Sequence, residues 1–216
     1  MNHSAPCQYS VRLIEKLKSL DTKNILDFDL INKAIYFARK YHGDQKRKSG
    51  EAYYTHPLEV AYMISEHNLK TDVIVASILH DIVEDTEVTV GMIIDNFSWR
   101  IAEMVDRLTR DRPDGTKLSV SEIITNAYQK QDKEVLLIKL IDRLHNMQTI
   151  GVKTPEKKEK ICRETINEML VVCFYLNNKY LAEKLHDLGL TLLNQFTQQE
   201  FSYLKNNNIY PQFLVA

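Results

Sequence analysis

An apolar helix that runs straight into four ionisable side chains constrains this chain more than any other feature. In TDVIVASILHDIVED, residues 71–85, apolar residues fill most positions up to Leu79, and His80, Asp81, Glu84 and Asp85 follow. A helix that is apolar all round is buried. Burying carboxylates is costly unless metal ions or hydrogen bonds compensate. At about 100° per residue, positions 80, 81, 84 and 85 share one side of a continuous helix. KEVLLIKLIDRLHNM, the most apolar helix candidate, repeats the conflict with Asp142, Arg143, His145 and Asn146. Asp142 and Asn146 lie four residues apart and face the same way. His56, before Pro57 at an expected helix start, adds a third polar signal.

Only five prolines and six glycines punctuate the 216 residues, and apolar side chains recur mostly at helical spacing. The expected fold is all-α, a compact multi-helical bundle. Helices are predicted over VRLIEKLKSL, LINKAIYFARKYH, HPLEVAYMISEH, VGMIIDNF and WRIAEMVDRLTR, besides the two described above. Ile31, Ala34, Ile35 and Ala38 form the stripe of the second, with Asp29 as its cap, and Thr71 is the expected cap of the helix leading to His80. GDQKRKSGEAYYT has no stripe and two glycines, so it reads as a loop. DRPDGTKL is the clearest break, through Pro113, Asp114 and Gly115. Ser119 and Glu122 stand at capping-box spacing, and Thr154-Pro155-Glu156 has the preferred order for a helix start. INEMLVVCFYLNN and KYLAEKLHDLGLTLLNQF supply the last helices, and the tail KNNNIYPQFLVA reads as irregular. EVTVGM alternates but is too short to indicate a strand.

A net charge of -1, from 28 basic and 29 acidic residues, argues against DNA or RNA as a partner. No stretch reaches the ~20 apolar residues that cross a bilayer. Cys7, Cys162 and Cys173 have neither disulfide-framework nor CxxC spacing, which suits a reducing compartment. MNHSAPCQYS lacks a signal-peptide pattern, so the expected location is cytoplasmic. His56, His80, Asp81 and Asp142 are suitable ligands for manganese, iron, zinc or nickel. Such an ion would acidify a water and polarise a phosphoryl group. Lys46, Arg47 and Lys48 suit a phosphate or a base, although a solvated loop carries such runs too.

YHGDQKRKSGEAYYTHP, ILHDIVEDT and KLIDRLHNM, in this order and spacing, resemble the hydrolase domain of the RelA/SpoT family, part of the HD phosphohydrolase superfamily. The likeness covers about residues 30–150. It implies Mn2+, or another divalent ion, on His56, His80, Asp81 and Asp142, with Glu84 and Asp85 positioning or deprotonating the attacking water. It further implies Arg47, Lys48 and Ser49 near a guanine base, Asn146 near the nucleotide and Thr149 near ribose or phosphates. His42, Arg143 and His145 would support these residues from behind. The implied substrate is the alarmone guanosine 3′-diphosphate 5′-di- or triphosphate, hydrolysed to GDP or GTP and pyrophosphate. The implied organisation is an N-terminal helical segment over 1–24, an HD hydrolase core over 25–152 and C-terminal helices over 153–216 packed on that core.

The chain reads as a standalone hydrolase, without the synthetase and regulatory domains of long family members. Two motif positions differ from the family. Ala52 stands where GEPY has proline, and Ile141 stands where KLADR has a small residue. No expected metal residue is missing. Two other readings stand beside alarmone hydrolysis: a phosphatase or phosphodiesterase for NADPH or another nucleotide, and an inactive guanine-nucleotide sensor. The aromatics of VVCFYLNNKY suit helix packing or a homo-oligomer interface.

Overall fold

The computed structural model describes residues 6–112 and 114–206, with the side chains at 152 and 196–206 set aside. The expectations for Pro113, for the start of the chain at 1–5 and for the tail beyond Asn206 lie outside the described residues. The backbone divides into two compact units, 1–145 and 146–216.

The first unit is helical, and its only β-pairing among the described residues is two isolated bridges. It begins with α1 (Gln8–Leu20) and α2 (Phe28–His42). The cap of α2 is Asp27, not Asp29, because the Asp27 side chain accepts the Leu30 N–H at 2.9 Å. Then come α3 (Thr55–Ile64) and α4 (Thr71–Leu79). The hydroxyl of Thr71 does not cap α4. It accepts the Asp27 N–H at 3.0 Å and so ties the starts of α2 and α4 together.

Helix α4 packs against α2, α3 and α7 (Trp99–Leu108). Val73 to Leu79 are all buried, which explains a segment with no polar face. Each such valine, leucine or isoleucine contributes about 1.5–3 kcal/mol by leaving water. The predicted stripe of α2 is buried likewise. Helix α6 (Val90–Asn96) takes up the second half of the stretch that alternates in sequence, with Thr89 as its cap. Helix α8 (Val120–Gln129) starts at a complete capping box: the Glu122 N–H donates to Ser119 Oγ, and the Ser119 N–H to Glu122 Oε2. Helix α9 (Lys133–Gln148) begins where Asp132 accepts the Val135 N–H.

The predicted helix through HDIVED is interrupted. α4 ends at Leu79, and α5 (Ile82–Asp85) is a separate turn. His80 Nδ1 bonds the Ser77 carbonyl at 2.8 Å, and Asp81 sits at φ -101°, ψ -5°, off the helical ladder. The four ionisable residues therefore do not lie along one continuous helix face.

The second unit contains α10 (Pro155–Glu164), a π-helical turn over Thr165–Met169, α11 (Leu170–Tyr175) and α12 (Lys179–Asn206). Thr165 Oγ1 donates to the Ile161 carbonyl at 2.7 Å at the point where the ladder widens. Gly189 lets α12 approach the π turn: a Cβ there would lie 3.3 Å from Ile166.

Candidate functional site

Six buried polar residues of the first unit gather at one place: His42, His56, His80, Lys139, Asp142 and His145. α3 supplies His56 in its first turn, the end of α4 supplies His80, and α9 supplies Asp142. His56 Nε2 lies 3.2 Å from Asp142 Oδ1 and 3.4 Å from Asp81 Oδ2. His80 Nε2 lies 3.1 Å from Asp81 Oδ2 and 3.7 Å from Asp142 Oδ1. Four donor atoms from three helical segments thus converge.

Two observations fit a divalent ion at this point. Ligand atoms each about 2.0–2.2 Å from one ion sit roughly 3–3.5 Å apart, close to the separations observed. His80 Nε2 is buried and makes no hydrogen bond, although a carboxylate oxygen lies beside it. His80 Nδ1 is committed to the Ser77 carbonyl, which leaves Nε2 as the nitrogen facing the cluster. His56, His80 and Asp142 form a group able to hold a divalent metal ion.

His56 is oriented from behind by His145, with the two Nδ1 atoms 2.7 Å apart. Burial, the His56 charge and the Arg47 guanidinium push His145 down to about 3. It is therefore neutral, and the tautomer with its proton on Nε2 accepts at Nδ1 from His56 Nδ1–H. Burial opposes charge on His80, but the Asp81 carboxylate and Asp142 reverse this and hold its pKa well above 6.5. His56 is raised in the same way: hydrogen bonds to Asp142 and Asp81 outweigh burial. Burial pushes Asp142 up, but the Lys139 ammonium and both histidines bring it well below the usual carboxylate range. Asp81 is lowered too, with the His80 charge overcoming burial.

These directions set a pH dependence. Stability from the raised histidines is complete below pH 6.5 and disappears as pH rises through their folded values. Stability from Asp81 and Asp142 is present above 3.8 and disappears as pH falls through their lowered values. A metal ion must displace the histidine protons. Divalent-metal affinity should therefore rise as pH rises toward the raised histidine values, with proton release. Calorimetry in buffers of different ionisation enthalpy measures both, and a flat affinity without proton release would contradict the geometry.

Asp85 and Glu84 are each held by a hairpin loop, Asp85 by one and Glu84 by another. The first joins Gln45 to Tyr53: Tyr53 N–H donates to Gln45 O at 2.8 Å, Arg47 N–H to Glu51 O at 2.8 Å and Gly50 N–H to Arg47 O at 2.9 Å. Gly50, at φ +92°, takes the left-handed position that this turn requires. Tyr53 Oη donates to Asp85 Oδ2 at 2.5 Å and lies 3.5 Å from Asp81 Oδ2. Gln45 Nε2 donates to the Asp85 carbonyl at 2.7 Å. His42 stacks on Tyr53 with centroids 4.8 Å apart, and its Nδ1 bonds Gln45 Oε1 at 3.0 Å.

The second hairpin repeats this pattern. Leu118 N–H donates to Arg110 O, Arg112 N–H to Thr116 O and Gly115 N–H to Arg112 O, each at 2.9 Å. Its Arg110 N–H donates to Glu84 Oε1. Burial raises both acids, and the bonds from Arg110 to Glu84 and from Tyr53 to Asp85 offset this only in part.

Arg47 is half-buried, and Lys48 and Ser49 are exposed at the first hairpin's tip. Arg143 is buried on α9. Asn146 and Thr149 belong to the second unit. Gln45, Arg110 and Lys139 are site neighbours that the sequence did not single out, whereas Tyr53 suited stacking, hydrogen bonding and core packing equally. Lys139 carried a signal, as a lysine in the most apolar helix three residues before Asp142.

Residues 34–167 match the HD domain family, and the chain belongs to that family. Over 209 residues it is 34% identical to the guanosine-3′,5′-bis(diphosphate) 3′-pyrophosphohydrolase of Aquifex aeolicus strain VF5, covering 94% of this chain and 27% of that protein. Over 170 residues it is 34% identical to the bifunctional (p)ppGpp synthase/hydrolase SpoT of Escherichia coli K12, covering 76% and 24%. Within the HD family the chain is of the RelA/SpoT hydrolase type, and it spans about a quarter of the length of these curated relatives. A solved structure of a metazoan ortholog of SpoT that hydrolyzes ppGpp shares the fold, with TM-score 0.59 at 21% identity over 85% of this chain and 95% of the other.

Proposed function

We propose that this chain hydrolyses guanosine 3′-diphosphate 5′-di- or triphosphate to GDP or GTP and pyrophosphate, using Mn2+. The carrying observation is the convergence of His56, His80, Asp81 and Asp142 beside Glu84 and Asp85. The 34% identity to a protein named as a 3′-pyrophosphohydrolase supports this substrate class.

In this reading His56, His80, Asp81 and Asp142 hold the ion. When bound, it supplies a Lewis acid that polarises the phosphoryl group and activates water. Glu84 holds the attacking water and takes its proton on a carboxylate oxygen, with Asp85 orienting it. Arg110 N–H and Tyr53 Oη keep the two carboxylates in place. Water adds to the phosphorus on the 3′ oxygen and the P–O3′ bond breaks; the proton taken by Glu84 is returned, directly or through water, to the 3′ oxygen, which leaves as a hydroxyl and restores the Glu84 carboxylate. Arg47, Lys48 and Ser49 take the guanine base, while Asn146 and Thr149 take nucleotide and ribose or phosphate. His42, Arg143 and His145 support the site from behind.

The proposal includes the division at 1–24, 25–152 and 153–216 and a cytoplasmic location, with neither DNA nor RNA as a partner. No described helix is long and apolar enough to cross a membrane. A homo-oligomer is also proposed, supported by exposed Val171 and Phe174 in the second unit.

Steady-state kinetics on guanosine tetraphosphate, guanosine pentaphosphate and NADPH test the substrate class. The expected order puts both guanosine substrates far above NADPH, and phosphate release from NADPH alone would overturn it. Arg47→Ala should raise KM for guanosine tetraphosphate about tenfold, by loss of a charged contact, with kcat within about threefold. An unchanged KM would remove Arg47 from the base pocket.

A further inference from the structure

Lys139 is the cation built into the buried cluster. It is 9% exposed, between Ile138 and Leu140, which are fully buried. It stands one helical turn before Asp142, and its Nζ lies 3.2 Å from Asp142 Oδ2. The other oxygen of that carboxylate, Oδ1, is the one facing His56 and His80. The two oxygens of Asp142 therefore have separate partners. Lys139 also acts on Glu84, whose carboxyl its charge draws downward against burial.

Net stability does not account for a lysine here. A buried ion pair is commonly matched or exceeded by apolar residues of similar volume. Charge offers a better account. Asp81 and Asp142 together carry two negative charges, enough to neutralise one divalent ion. Lys139 makes the loaded cluster one charge more positive and so offsets part of the negative charge of Glu84 and Asp85, which suits a substrate rich in phosphate.

We propose that Lys139 is a positioning residue that holds Asp142 to a single metal-facing oxygen and makes the metal-loaded cluster less negative, weakening metal binding while favouring turnover. The turnover half rests on the alarmone-hydrolase reading, and the metal-binding half does not.

The two halves predict opposite changes in one variant. Lys139→Met should bind Mn2+ about tenfold more tightly in calorimetry on metal-stripped protein, because a repelling charge is gone. The same variant should lose about 100-fold in kcat on guanosine tetraphosphate, with KM little changed. Lys139→Arg should return both values to within about threefold of wild type. Lys139→Gln keeps a donor for Oδ2 without the charge, so it should bind Mn2+ as tightly as the Met variant. It also gives the binding result if the Met variant fails to fold. The Mn2+-induced rise in Tm should be larger in both neutral variants than in wild type.

A purely structural lysine would make binding and turnover fall together, and that result would overturn the proposal. Unchanged Mn2+ affinity in the neutral variants would overturn it equally. A wild type that binds Mn2+ but leaves guanosine tetraphosphate intact would remove the functional reading, while the affinities would still decide whether Lys139 restrains the ion.

Discussion

Asp81→Asn should abolish metal-dependent turnover, with kcat down by at least about 1,000-fold and metal affinity down by about 10–100-fold. Asp81 Oδ2 is the oxygen that both His56 Nε2 and His80 Nε2 face, at 3.4 and 3.1 Å. The amide keeps the shape but loses the charge and a lone-pair site. Helicity should stay near wild type, because Asp81 lies between α4 and α5, outside both helices. Metal content, circular dichroism and turnover measured on one preparation check all three. Normal turnover with full metal occupancy would remove Asp81 from the cluster.

Glu84→Gln should lower kcat by about 100- to 10,000-fold while metal content stays at the wild-type level. Gln can still accept the Arg110 N–H that Glu84 Oε1 accepts, so what disappears is the ability to take a proton. The Glu84 carboxyl is raised above 4.5, chiefly by burial. A base must be ionised, so wild-type kcat at saturating metal should fall as pH drops through that raised value, and the Gln variant should lack that limb. Asp85→Asn should cost less, since Tyr53 Oη can still donate to the amide oxygen. If the two variants behaved alike, or if Glu84→Gln lost its metal, Glu84 would not be the base.

The helices were legible because burial leaves a periodic record. The α2 stripe and the Ser119–Glu122 box could be read directly, and both are present. His56, His80, Asp81 and Asp142 stood out because each interrupts or opens an apolar segment, and the fold brings them together. The break at His80 and Asp81 was not legible. It depends on His80 Nδ1 taking the Ser77 carbonyl, a bond that helical periodicity does not encode. The same limit applies to Thr71, whose composition and position suit a cap but whose hydroxyl serves Asp27 of another segment. DRPDGTKL announced a turn, but nothing in it announced that Arg110 N–H would reach Glu84, 26 residues away. Tyr53 was ambiguous for a related reason: packing and hydrogen bonding leave the same mark in sequence, and here it does both, on His42 and on Asp85.

Product-resolved hydrolysis of guanosine tetraphosphate by the Mn2+-loaded protein, with an EDTA-treated control, tests the central claim most directly. The account predicts GDP and intact pyrophosphate in equal amounts, abolished by EDTA and restored by Mn2+. Release of single phosphates, EDTA-resistant turnover, or no turnover by fully loaded protein would contradict it.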